Sequence, residues 1–284
     1  MKITGAPCKN ELINLRINVA ASAKLPLSKV RGSAAARDAL AAQYSSIYTQ
    51  ELDKLSTNNT CTVENFKKAI KNTLGDNNIK FNVLPVEADV AHGALSKTAK
   101  SETKQIKNNV YNVNSQISGY NFYFPLDSTN SVIKNKNITV HEARHFFDYI
   151  CNPKTITIPT YKLINEKQRL KDFHKVYNSF LKDYTIFRSI KTFKKDVRTR
   201  LDKMPNEDAI SVLQTVRHSM KSEINAYIDE HKYMRKNPVR NFYGLLHSCN
   251  YLAVMRYDKK LKFANELLAE KLKEAKSLKN NLEK

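Results

Sequence analysis

The spacing of hydrophobic positions changes period twice along the chain. Between Ser33 and Leu55, the residues Leu40, Tyr44, Ile47, Leu52 and Leu55 recur near the 3.6-residue helical turn. Ser33 stands before an alanine-rich run, which predicts an N-cap there. A second helix is predicted after Thr62, with Phe66, Ile70 and Leu74 on one side and Gly75 as its stop. Ahead of these helices, Pro7, Pro26 and Gly32 interrupt any period, so 1–32 reads as an irregular N-terminal segment. At residue 78 the period falls to two. Ile79, Phe81 and Val83 alternate within 78–86, and 109–117 and 119–127 do likewise, so three strands are predicted. Pro125 closes the last strand or marks it as an edge. The polar stretch 87–108 reads as a loop or short helix. From Thr139 onward the helical period returns over 139–151, about 161–200, 206–235 and 240–281. Asn152-Pro153, Met204-Pro205 and Asn237-Pro238 punctuate these helices. No internal repeat is visible.

Helices, then a small strand group, then a helix-rich half form an α+β pattern. The expected organisation is an irregular segment over 1–32, a helical region over 33–75, a core over 76–254 and a C-terminal amphipathic helix over 255–284. In the last of these, Leu261, Ala264, Leu268, Leu272 and Ala275 share a stripe. Packing on the domain is the simplest use of it, and a partner-binding or coiled-coil seam is the sharper alternative. The chain has 284 residues and is 41% hydrophobic, which supports a real core and excludes disorder throughout. No apolar run approaches the roughly 18–20 residues needed to cross a bilayer, so no membrane span is expected.

Charge and cysteine usage narrow the setting. The formal net charge is +21, and residues 160–204 hold 13 Lys/Arg against 5 Asp/Glu. Such a balance attracts phosphate polymers and acidic partners, though lysine so outnumbers arginine that a solvated helix surface explains it as well. Cys8, Cys61, Cys151 and Cys249 lie far apart, with no CxxC, and read as reduced structural thiols. Asn10, Glu11, Asn14 and Arg16 interrupt the apolar stretch that a Sec signal peptide requires. Synthesis in the cytoplasm is expected, and translocation into a host cell as a secreted effector is compatible with this start. Glycine is scarce, and neither GxGxxG nor GxxxxGK[ST] occurs, nor does GxSxG.

One segment carries chemistry. His141-Glu142-Ala143-Arg144-His145 is an HExxH sequence inside a helical pattern. Residues four apart share a helix face, so both imidazoles can reach one cation, with zinc the expected ion. Glu142, one position round, can hold and deprotonate a zinc-activated water as general base without taking a coordination position. Val140, Ala143, Phe147 and Ile150 form a predicted buried stripe, and His141, His145 and Asp148 the opposite polar one. Asp148 is placed to accept a ring N–H from a ligand histidine. Two plainer readings compete: structural histidines, and a capping box in which Thr139-x-x-Glu142 merely starts the helix. The strand at 119–127 offers an edge for an extended peptide, with Tyr120, Phe122 and Phe124 as candidate substrate-binding residues. His92, His174 and His247 read as structural.

With this helix and its preceding strand the chain resembles the zincin metallopeptidases. The metzincin branch would need Gly where Asp148 stands and His where Cys151 stands, which disfavours it, although a Cys151 thiolate could bind zinc. The gluzincin branch takes its third ligand from a glutamate on a later helix. That resemblance implies Glu223 within Glu223-Ile224-Asn225-Ala226-Tyr227, with the small Ala226 allowing close helix approach. It leaves His218, His231 and Asp148 as alternative third ligands, and it implies Tyr227 or His231 as a group stabilising the oxyanion. A plain amphipathic helix, with Met220, Ile224 and Ile228 inward and Glu223 solvated, is the other reading of this stretch. The resemblance thus implies a zincin-like core over 76–254, Zn2+ as cofactor and endopeptidase activity on a protein or peptide substrate. The alternative is a basic helical protein that binds nucleic acid or an acidic partner and carries HExxH by accident. Against it stands the lack of any recognisable nucleic-acid module.

Overall fold

The computed structural model describes residues 33–56, 60–86, 94–106, 109–152, 167–181, 190–236 and 243–282. The expected irregular segment 1–32 and His92 lie outside the described residues, as do the side chains of His247 and Cys249. In chain order the elements are α1 (Ala34–Leu55), β1 (Cys61–Thr62), α2 (Val63–Leu74), β2 (Phe81–Pro85), β3 (Ala94–Ile106), β4 (Asn109–Phe124), β5 (Val132–Ile133), α3 (Lys136–Cys151), α4 (Lys167–Leu181), α5 (Ile190–Leu201), α6 (Asn206–Lys236) and α7 (Tyr243–Leu282). Helices dominate, with a few small strands among them.

The chain divides into two units: 1–97 with 119–153 and 232–239, and 98–118 with 154–231 and 240–284. This differs from the expected boundaries at 75/76 and 254/255. The 33–75 helices are not an appendage, because Leu40, Tyr44, Tyr48 and Leu52 of α1 share one core with Phe146 and Phe147 of α3. Tyr44 stacks on Phe147 at 5.7 Å, and Tyr48 is tilted against it at 6.1 Å.

Local signals set the ends of the first unit's elements. The Ser33 hydroxyl accepts from the Ala36 amide at 3.2 Å, and the Thr62 hydroxyl from the Asn65 amide at 3.0 Å. Gly75 stops α2 with φ +58°, a conformation that favours glycine. β2 runs parallel to β4, with Phe81 opposite Tyr120 and Pro85 opposite Phe124. The two strands expected at 109–117 and 119–127 are one strand, β4, ending before Pro125. The stretch expected as a loop supplies β3, and the sheet order is β2-β4-β3. The polar composition of 94–106 carries no period-two hydrophobic signal; backbone pairing with β4 makes it a strand.

β4 is therefore the middle strand, which corrects the expectation of a free peptide-binding edge there. Tyr120, Phe122 and Phe124 are corrected with it. They are 6%, 0% and 0% exposed, and their rings pack on Phe66, Phe81 and Phe146. Burying large rings in the core contributes more than offering them to solvent.

The turn after β4 delivers the chain to α3. The Asp127 carboxylate accepts from the Ser131 and Val132 amides at 2.9 and 3.0 Å, and β5 then pairs antiparallel with β1. Asn135 caps α3, its side chain accepting from the Asn137 amide at 3.0 Å.

The second unit has its own core. Phe173, Val176 and Phe180 of α4, Phe193 and Val197 of α5, Val212, Leu213 and Val216 of α6, and Phe263, Leu267 and Leu268 of α7 are buried together. The single helix expected over 161–200 is described as α4 and α5, with 182–189 outside the described residues. In the C-terminal stripe Leu261, Ala264 and Leu268 belong to this core or pack on it, which favours packing on the unit over a free seam there; Leu272 and Leu278 are exposed.

Candidate metal centre

α3 begins at Lys136, so Thr139 lies inside the first turn and does not cap it. Its hydroxyl donates to the Lys136 carbonyl at 2.7 Å and accepts from Tyr48 Oη at 2.9 Å. The capping-box reading of Glu142 is excluded by that geometry. Val140, Ala143, Phe147 and Ile150 are buried as their spacing predicts. The polar stripe is buried as well: Glu142 is 5% exposed, Arg144 4%, His145 7% and Asp148 3%. A helix covered on nearly every side keeps such groups only when they are partnered, because burial of an unsatisfied polar group costs on the order of 1–3 kcal/mol.

The two imidazoles face each other. His141 Nε2 and His145 Nε2 are 3.2 Å apart, with ring planes at 75° and centroids 4.9 Å apart. At that distance the two nitrogens share either a proton or a cation. A tetrahedral zinc with ligands at about 2.0–2.1 Å sets adjacent ligand atoms about 3.3 Å apart. The imidazole pair already has the spacing of one tetrahedral edge.

His141 and His145 lie on α3 in the first unit, whereas Glu223, like His218 and His231, lies on α6 in the second. Two imidazole nitrogens and one carboxylate oxygen are a donor set suited to zinc. Glu223 is half-buried on α6, between the buried residues Met220 and Ala226, while Ile228 is 36% exposed. Of the plain amphipathic reading, Met220 is inward as expected and Ile224 half-buried, but Ile228 is exposed and Glu223 is not fully solvated.

The remaining candidates have other neighbours. Asp148 Oδ1 accepts from Arg144 Nε, one turn back on α3, at 3.1 Å in a buried ion pair. Tyr227 stacks on Tyr257 at 5.9 Å. Cys151 is 2% exposed, and burial pushes its thiol up to about 12, with the Asp148 charge adding and Arg144 opposing. His174 is exposed on α4.

Two further aromatic residues, one beside His145 and one beside Glu223, lie outside the motifs. Tyr149 stacks on His145 at 6.3 Å from the following turn of α3. Tyr177 on α4 meets Ser219 Oγ at 3.0 Å, and its phenol is pushed up by burial and by the Glu223 charge. Helical spacing from His145 to Tyr149 was a usable signal for the first. Nothing in the sequence pairs Tyr177 with Glu223.

No protein-family model, curated protein or solved structure matches this chain. Among the described residues, no helix is long and apolar enough to cross a membrane.

Proposed function

We propose that this chain is a zinc-dependent endopeptidase of the zincin type, gluzincin-like in its ligand set. The observation that carries the reading is the HExxH helix α3, on which the Nε2 atoms of His141 and His145 lie 3.2 Å apart with Glu142 one position round. His141 and His145 would hold the ion through Nε2 and Glu223 through its carboxylate. When bound, zinc acidifies a water and polarises a carbonyl oxygen.

The chain's own residues supply the rest. Glu142 accepts the proton from the attacking water and returns it to the leaving amine. Its near-complete burial fixes its rotamer and keeps bulk water from competing for that proton. The Arg144–Asp148 pair fixes the turn of α3 that carries His145.

The test separates metal binding from catalysis. Purified protein is expected to hold about one zinc by elemental analysis, and His145→Ala none. Glu142→Ala is expected to retain zinc and lose cleavage of a peptide library. Absence of zinc from freshly purified protein and after zinc reconstitution refutes the reading.

A further inference from the structure

The basic stretch that the peptidase reading leaves unused forms a concave surface on the second unit. Together, α4, α5 and the turn after α5 enclose a groove of about 580 Å³, whose lining includes Lys175, Lys195, Arg200 and Lys203 with Asp172 and Asp196. α5 divides its cations between two faces. Arg198 Nη1 is 2.6 Å from Glu270 of α7 and Lys194 Nζ is 3.9 Å from Glu266, so those charges are answered within the unit. On the groove side, Lys195, Arg200 and Lys203 are all exposed, and among the described residues none of the three has an ion-pair partner. Asp172 does not compensate them, because it is held by Lys175 at 3.0 Å and by Gln168 at 2.8 Å. With Asp196 as its second carboxylate, the groove sets four cations against two anions and carries a net charge of +2 in a small volume.

The shape and lining select the ligand. A volume of this size lies within the roughly 300–1,000 Å³ of small-molecule clefts. No lining side chain is aromatic, so bases of a single strand find no stacking platform. The Thr199 hydroxyl donates to the Lys195 carbonyl at 3.0 Å, leaving recognition to the cations. Arginine offers a planar fork to phosphate oxygens and lysine a point charge. We propose that this groove binds a compact polyphosphorylated small molecule, independently of the metal centre.

Inorganic tripolyphosphate is the probe, titrated calorimetrically into the full chain at about 50 mM and about 200 mM salt. The expected result is one site, weakened by salt and weakened at least tenfold in Lys195→Gln/Arg200→Gln/Lys203→Gln. The control Lys259→Gln/Lys273→Gln/Lys276→Gln removes the same charge from exposed positions of α7 and should change affinity less than about twofold, since a general field falls with distance. Arg200→Lys keeps the charge, loses the fork and should fall between them, which also covers failure of the triple variant to fold. An unchanged affinity in His145→Ala shows that a chelated metal is not the receptor. Equal weakening in both triple variants, no binding at low salt, or tighter binding of duplex DNA or an acidic peptide would overturn the proposal.

Discussion

Asp53→Ala tests the packing of the first unit most sharply. The Asp53 carboxylate accepts from Tyr233 Oη at 2.6 Å and from Lys136 Nζ at 3.0 Å. Lys136 is the residue that opens α3; its side chain is 6% exposed, lies over the Tyr233 ring at 5.6 Å and also bonds the Ser56 carbonyl. Tyr233 is buried near the end of α6. Removing one partner of a fully buried ion pair costs about 3–5 kcal/mol. Asp53 is 43% exposed, however, so water answers part of the lost charge and the Ser56 carbonyl keeps another part. The expected loss is about 2–3 kcal/mol for Asp53→Ala and about 1 kcal/mol for Tyr233→Phe, which removes a single hydrogen bond. Asp53→Ala/Lys136→Met removes the stranded cation too and should be less destabilised than Asp53→Ala, by about 1 kcal/mol. Urea unfolding by far-ultraviolet circular dichroism, paired with amide exchange of α1 and α3, reads the cycle without assuming a single transition for two units. If the double variant is no more stable than Asp53→Ala, the buried lysine is not what makes the loss large, and the reasoning fails.

The core of the first unit gives three further measurable outcomes. Phe122→Ala should destabilise by about 3–5 kcal/mol, because the ring is fully buried with Phe66 at 4.9 Å; an unchanged urea midpoint would return Phe122 to the surface. Tyr44→Phe should stabilise by about 1 kcal/mol, since the buried Tyr44 hydroxyl has no hydrogen-bond partner among the described residues; a loss of stability would reveal one. Burial raises the Cys61 and Cys151 thiols to about 11 and about 12 from an ordinary 9.0, so their contribution is whole below pH 9 and is lost as pH rises towards those values. By pH 10 each thiol should cost about 1.4 kcal/mol, so the fall in the urea midpoint between pH 8 and 10 should shrink in Cys61→Ala/Cys151→Ala, and an undiminished fall would assign alkaline sensitivity elsewhere.

Much of the local structure was legible because its causes are local. Ser33 and Thr62 have short side-chain oxygens that reach back to an amide three residues on, and both cap helices. The spacing of Val140, Ala143, Phe147 and Ile150 marks the apolar face of α3 whatever lies against it. β3 was missed because its 13 residues show no alternation of apolar and polar side chains. The aromatic residues of β4 were misplaced for the opposite reason. Alternation identifies a strand, but it does not say which face is covered or whether the strand sits at an edge.

The sequence by itself determined that His141 and His145 share a helix face with Glu142 between them, since 3.6 residues per turn leaves no other arrangement within a helix. It determined equally that the chain carries a large excess of positive charge. Only the tertiary structure decided that the polar face of α3 is buried and that Tyr120, Phe122 and Phe124 belong to the core. It also decided which cations on α5 meet a carboxylate and which stand over a groove without one. Helical periodicity reports the orientation of a side chain about its own axis; the identity of what it meets depends on how distant segments pack.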